Sequence, residues 1–363
     1  MNTIQAKRAD HLDILKALGI IAVVYGHAEG PFMVFVTLYH MALFFFASGY
    51  FYKDRYTADP IAVVKKRLKS LYVPFITFGL FFGLLHNFLY KINVYTDKLV
   101  PVYNRTEYFT TNKEYVLNLL KILSFAKVEQ IIAPFWFLPV LFIVNMLFLF
   151  ISYAIFKINP ARKGLWLAVA VTSVCCAGMV YYPEHNLFLR PVSIAMVVTI
   201  MFYFGYLFKR FEKYIEFNFG IALACFLVLV VSYPYGPIGN GAHQFGTLPF
   251  YLVCSLTGIY LNFYIAKRIP DGTLIKRFLV FTGRNTITIL GLHLAAFRVV
   301  NWLEVKVYGL PAYMTGKHIS LDTSGAWWAV YLVAGVGLPL AARIVYDRAK
   351  QALFSKEVSP TIA

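Results

Sequence analysis

Long apolar runs separated by short basic stretches set the pattern of this chain. Ten runs are long enough to span, at the ~17–25 residues that a membrane-spanning helix needs. They are Leu12–Ala28, Val34–Phe51, Leu71–Tyr90, Ile132–Phe156, Leu165–Tyr182, Pro191–Phe208, Phe219–Tyr235, Leu248–Ala266, Asn285–Trp302 and Ala326–Tyr346. The pattern predicts an all-α polytopic membrane protein, a bundle of about ten transmembrane helices. Several runs carry Gly or Pro, which membrane helices tolerate. The sizeable connection Lys91–Gln130 is read as an outer loop. Within it Tyr115, Leu119, Leu120 and Leu123 recur at helical spacing and predict a surface helix.

Charge orients the bundle. With the N-terminus in the cytoplasm, the inner face receives Lys7-Arg8, the run Lys53 to Lys69, Lys157 with Arg162-Lys163, Lys209-Arg210 with Lys213, Lys267-Arg268 with Lys276-Arg277, and the tail after Arg343. The outer face receives Lys91–Gln130, the Pro183-Glu184-His185-Asn186 turn, the Gly-rich turn Gly236–Gly246, and Leu303–Gly325. Lys and Arg gather in cytoplasmic loops, and long loops count less. An even number of spans then places both termini in the cytoplasm.

Composition changes the picture little. Charged residues make up 14% of the 363, against about 25% in a soluble chain. The formal net charge of +17 follows from the inner loops, so it does not call for nucleic acid. No linker or polar block suggests a second unit, and residues 1–363 are expected to form a single integral-membrane domain without a cleavable leader. Cys175, Cys176, Cys225 and Cys254 fall in apolar runs without CxxC spacing. They read as small buried hydrophobes, and no metal site is expected.

Chemistry concentrates in the first hairpin. Lys16 and His27 lie eleven residues apart in an otherwise apolar helix. Eleven steps return to within roughly 20° of the same face, about 16 Å further along the axis. Ionisable groups inside a membrane helix are expensive and mark functional sites by default. His40 opens the next helix, and Ser48-Gly49 forms a small pair where helices can approach closely. The ninth run is the other with polar residues at depth. Gly283 and Asn285 suggest a break and a cap before it, Arg284 lies near its cytoplasmic end, His293 near mid-membrane, and Arg298 and Glu304 toward its outer end.

These residues resemble the acyltransferase type 3 family, bacterial membrane proteins that acylate cell-envelope sugars. Five elements carry the resemblance in order. They are Lys16 to His27, a basic residue and ten residues before His; Tyr39-His40-Met41 with Phe44 to Tyr50; Lys66-Arg67-Leu68-Lys69-Ser70-Leu71-Tyr72-Val73-Pro74; Phe135-Trp136-Phe137-Leu138-Pro139; and Gly283-Arg284-Asn285-Thr286 with His293 beyond. Lys16 departs from the family's more common Arg, which keeps the cation and loses the bidentate fork. The chain resembles stand-alone members, without an appended extracytoplasmic domain.

The resemblance implies an enzyme of the bacterial cytoplasmic (inner) membrane. It implies an O-acyltransferase that moves an acyl group, most simply acetyl, from cytoplasmic acyl-CoA to a hydroxyl of an envelope or exported carbohydrate such as an exopolysaccharide or a lipid-linked sugar. Acyl-CoA is then a co-substrate, with no bound cofactor. His27 suits the general base, because a neutral imidazole can take the hydroxyl proton. A transient acyl-imidazole is the alternative, and a packed, hydrogen-bonded histidine the plainest one. Lys16 either holds the donor, pairs with Asp13 one turn away, or snorkels. Arg67 and Arg284 match the family's basic motifs and are expected to bind the donor. Against that stands the cation content of any cytoplasmic loop. Trp136 stacks on a sugar or belongs to the interfacial belt. His40, Ser48 and His293 are candidates to support the site or contact substrate. The competing functions are a transporter or flippase of a lipid-linked sugar, disfavoured by the lack of a visible repeat, and a membrane acyltransferase of the other large fold class, disfavoured by the N-terminal position of the Lys16–His27 helix.

Overall fold

The structure is a computed structural model. It describes residues 3–98, 107–182, 186, 189–317, 319–321 and 325–355, with side chains from 10 to 352 within these. The Pro183-Glu184-His185 part of the fifth connection, the side chains of Lys7-Arg8 and residues 99–106 of the long outer loop lie outside the described residues.

Fifteen α-helices are described: α1 (Thr3–His27), α2 (Met33–Thr37), α3 (His40–Tyr50), α4 (Pro60–Arg67), α5 (Val73–Leu84), α6 (His86–Lys91), α7 (Asn112–Leu123), α8 (Phe137–Ile158), α9 (Lys163–Val180), α10 (Leu189–Phe211), α11 (Phe219–Ser232), α12 (Leu248–Arg268), α13 (Leu274–Arg284), α14 (Thr286–Val307) and α15 (Trp327–Ser355). No strand is present among the described residues. The protein is thus all-α and multi-pass, and each of the ten apolar runs is helical over most of its length. Seven helical stretches are long and apolar enough to cross a membrane by themselves. The other three fall short for separate reasons. The first carries Asp10, Asp13 and Lys16 in its lower half. The third breaks at Leu85 between α5 and α6. The seventh ends its α-helix at Ser232, before Pro234.

Local chemistry sets the helix ends. Asp59 caps α4, its carboxylate accepting from the Ala62 amide at 3.0 Å, with Pro60 in the first turn. The expected surface helix is α7. It opens with a capping box, in which Thr111 accepts from the Glu114 amide and Glu114 accepts from the Thr111 amide. A π-helical turn over Leu68–Tyr72 joins α4 to α5. Asn285 separates α13 from α14, and its side-chain amide donates back to the Phe281 carbonyl at 2.8 Å. It therefore closes α13 and does not cap α14.

Packing places α3 at the centre. It lies against α10, α1 and α12, while α1 also touches α12, α13, α14 and α15. The α3–α10 approach depends on glycine on both sides. A Cβ on Gly49 would overlap the Phe202 carbonyl, and one on Gly205 would overlap the Phe46 carbonyl. The predicted close approach therefore occurs at Gly49. Its neighbour Ser48 turns elsewhere, as described below. Large apolar side chains remain exposed on the outside of the bundle, among them Leu227 and Val231 on α11 and Val333 on α15. That surface suits lipid. Of the four cysteines, Cys175, Cys225 and Cys254 are buried. Cys176 is exposed, because its neighbour takes the inward face of α9.

Candidate active site

Helix periodicity builds one wall of a cavity from α1. Lys16, Ile20 and Val23 line it at helical spacing, and the next position on that face is His27. From α3 come Met41, Phe44 and Ser48; from α8, Phe137, Leu138 and Leu141; from α14, Thr286, Ile287 and Leu290. Arg67 and Leu71 close it from the end of α4 and the π-helical turn. The cavity measures about 240 Å³. Its polar groups sit together. Lys16 is low on α1, Ser48 is near the end of the returning α3, Thr286 begins α14 and Arg67 ends α4. All four belong to the end of the bundle where the basic loops lie. Between them and the histidines, the lining from α1, α3 and α14 is apolar.

The cations at this basic end differ in their partners. Lys16 is 2.7 Å from Asp13 on its own helix, with its side chain still 26% exposed. Arg67 is largely enclosed, and its Nε has no hydrogen-bond partner. Burial pushes its guanidinium below the ordinary arginine value, and the nearby Tyr56 and Tyr52 offset this in part. Among the described residues no carboxylate forms an ion pair with it. Arg284 is 59% exposed and engages Asp13 at 2.9 Å and Asp10 at 3.4 Å. Lys276 shares the Asp10 carboxylate at 3.6 Å. The backbone explains how close α13 comes: a Cβ on Gly283 would overlap the Asp13 carbonyl. Arg284 does not line the cavity.

At the far end two histidines meet. The rings of His27 and His293 are 5.3 Å apart and inclined by 38°. They stand one turn or less beyond Val23 and Leu290, about 4–6 Å further along their helices. His293 is fully buried, and its Nδ1 lies 2.9 Å from the Ile289 carbonyl. That carbonyl requires a proton on Nδ1, so Nε2 carries a lone pair. Nε2 has no hydrogen-bond partner.

The remaining sequence candidates sit as follows. Ser48 lines the cavity and accepts from the Asn145 amide at 3.3 Å. His40 is half-buried, with Nδ1 at 2.9 Å from the Val36 carbonyl one turn back, and it does not line the cavity. Trp136 is half-buried, packs against Gly241 and meets Phe137 edge-on at 6.4 Å. It supports the Gly-rich turn.

Sequence reasoning missed a buried polar cluster at the opposite end. His86 and Glu129 are both buried, with Nδ1 to Oε2 at 2.9 Å, and the Asn118 amide donates to the other Glu129 oxygen at 2.8 Å. His86 Nε2 faces the Glu107 carbonyl at 3.0 Å, and the ring stacks on Phe109 at 4.1 Å. The cluster ties α6 and α7 to the segment that leads into α8. A histidine inside the third apolar run was the signal that could have revealed it.

A family model described as the acyltransferase domain, acyltransferase 3, matches residues 10–344. That range takes in every side chain of the cavity and both histidines. No curated protein and no solved structure gives a significant match. A multi-pass helical bundle matched over nearly all its length by this model is a membrane acyltransferase, and the chain belongs to the acyltransferase 3 family.

Proposed function

We propose that the protein moves an acyl group, most simply acetyl, from cytoplasmic acyl-CoA to a hydroxyl of an envelope or exported carbohydrate in a bacterial cytoplasmic membrane. One observation carries the reading. A cavity lined by Lys16 and Arg67 at the basic end continues along apolar side chains of α1 and α14, and about one turn beyond its last lining residues on those helices the rings of His27 and His293 meet. A long thin acyl-pantetheine arm fits such a shaft, while its nucleotide phosphates stay with the cations.

Arg67 suits those phosphates. It is a guanidinium without a carboxylate partner, and an unpaired buried charge costs several kcal/mol. Lys16 adds a mobile point charge beside it. At the other end His27 accepts the proton of the acceptor hydroxyl as its oxygen attacks the thioester carbonyl. The new C–O bond forms, the C–S bond breaks, and coenzyme A leaves as a thiolate that takes up the proton. His293, its Nδ1–H held by Ile289, packs its ring 5.3 Å from that of His27. Ser48 and Asn145 shape the mouth.

A transporter reading has no feature of its own in its favour. Arg284 is satisfied by Asp10 and Asp13, so it serves as a helix tie between α13 and α1. The test is mass spectrometry of the envelope polysaccharide with and without the gene, complemented by the parent and by His27→Gln. The expected result is an acetyl or related mass present with the parent and missing with the variant. An unchanged acyl content in the deletion overturns the proposal.

A further inference from the structure

A second buried cation stands beyond the histidine pair. Arg298 follows His293 by five residues on α14, about 7.5 Å further from the basic end. It is 2% exposed. Its Nη1 donates to the Lys317 carbonyl and, at 3.5 Å, to the Ile319 carbonyl. Its Nε and Nη2 have no hydrogen-bond partner. Those two nitrogens form the side edge of the guanidinium, the edge that binds a carboxylate or phosphate through two parallel hydrogen bonds. Among the described residues no carboxylate forms an ion pair with Arg298. Tyr95 is an electrostatic neighbour of Arg298. Its buried hydroxyl faces the Glu129 carboxylate and the Ile131 backbone, so Tyr95 belongs to the Glu129 cluster.

The surroundings do not explain the arrangement as an anchor. Asn301 already holds the Thr315 and Lys317 carbonyls at 3.1 and 3.2 Å. Tyr331 donates to Asn301 and accepts from the Leu321 amide. Thr315, Lys317, Ile319 and Leu321 are thus held with only one nitrogen of Arg298. A neutral side chain would do that work without burying a charge. A guanidinium kept in a membrane bundle with two donors open is costly unless an anion completes it.

We propose that Arg298 forms an oxyanion-binding site on the acceptor side of the histidine pair, its open Nε and Nη2 taking a phosphate or a carboxylate carried by the acceptor carbohydrate. This rests on the reading that donor and acceptor meet at His27 from opposite ends of the bundle. Charge on the acceptor then orients its hydroxyl, and the shared oxyanion chemistry sets which acceptors are used.

The experiment measures thermal protection of the purified full chain in lipid nanodiscs. The probes are inorganic phosphate, glucuronate and glucose, each with coenzyme A present in excess to fill the basic end. A ligand that binds the folded state raises the midpoint with concentration. Glucose is expected to do nothing. Protection by phosphate alone assigns the site to a phosphate of a lipid-linked acceptor; protection by glucuronate assigns it to an acidic sugar. Arg298→Lys, which keeps the charge and loses the fork, is expected to weaken protection about tenfold, in line with a hydrogen bond to a charged group. Arg284→Ala, outside the cavity, is expected to leave it unchanged. No protection by either anion, equal protection by glucose, or protection unaltered in Arg298→Lys overturns the site. Coenzyme A binding by the same samples is read separately: its loss in the parent refutes the proposed function, while its retention without anion protection refutes the oxyanion site alone.

Discussion

Arg67 and Arg284 make an instructive pair. Both lie at the basic end, both match a motif of the family, and the sequence suggests the same role for each. In the fold they part. Arg67 is enclosed at the mouth of the cavity with an open nitrogen, whereas Arg284 lies outside it, exposed and bound to two carboxylates. The difference is in the partners. A cation whose charge is met by Asp10 and Asp13 is a structural tie. A cation enclosed without a carboxylate among the described residues is the one we propose for a ligand. Motif position therefore selects candidates, and local counter-charge sorts them.

The comparison can be pressed from several directions. The largest effect is expected at the far end of the cavity that Arg67 opens. His27→Gln should lower the acyl-transfer rate by ~10²–10⁴-fold, the usual loss for a general base, while membrane insertion and thermal midpoint stay close to parental. His27→Gln protein that is stably inserted and transfers at the parental rate would return this residue to packing alone.

The pair itself is tested next. Arg67→Ala should weaken coenzyme A binding about tenfold or more, the scale of a hydrogen bond to a charged group, with a curve that depends on salt. Arg284→Ala should leave that affinity within about twofold. Its effect belongs to stability and should be small, since an exposed pair contributes ~0–1 kcal/mol and Lys16 and Lys276 remain beside Asp13 and Asp10. Equal losses of affinity in the two variants would erase the distinction.

The smallest effect concerns the outer cluster. Burial raises the Glu129 carboxyl, but hydrogen bonding and charge from His86, with Asn118 and Lys127, outweigh it and hold the group below its ordinary value. A depressed carboxylate gives stability that is complete above the ordinary carboxylate range and is lost as pH falls through the folded-state value. The parent should therefore lose more of its thermal midpoint than Glu129→Gln when the pH is taken from neutral to below about 4. A parallel decline in both proteins would remove Glu129 as a source of acid sensitivity.

Much of this was legible in the chain. The ten apolar runs gave the helices because burial in lipid leaves the backbone little choice. The helix period put Lys16 and His27 on one face, and the residues between them line the cavity. The surface helix showed through its apolar spacing, while the Thr111–Glu114 box that opens it went unread. What stayed hidden depends on distant partners. The carboxylates that occupy Arg284 lie 271 and 274 residues away, and nothing local announces them. The same holds for His86 and Glu129, 43 residues apart, and for His293 against His27. The break at Leu85 carries no proline, so the third run read as continuous. Trp136 read as an interfacial or sugar-stacking residue because its partner, Gly241, is reached only in the folded bundle.

The account's central claim is that the acyl end of the donor travels up the shaft from Arg67 to the histidine pair. The most direct measurement is photo-cross-linking with an acyl-CoA analogue that carries a diazirine on its acyl chain, followed by peptide mapping of the labelled protein in lipid. The account predicts adducts on α1 between Ile20 and His27 and on α14 between Leu290 and His293, lost when excess coenzyme A competes. Adducts confined to α13 around Arg284 or to α5 and α7, with none on α1, would contradict it.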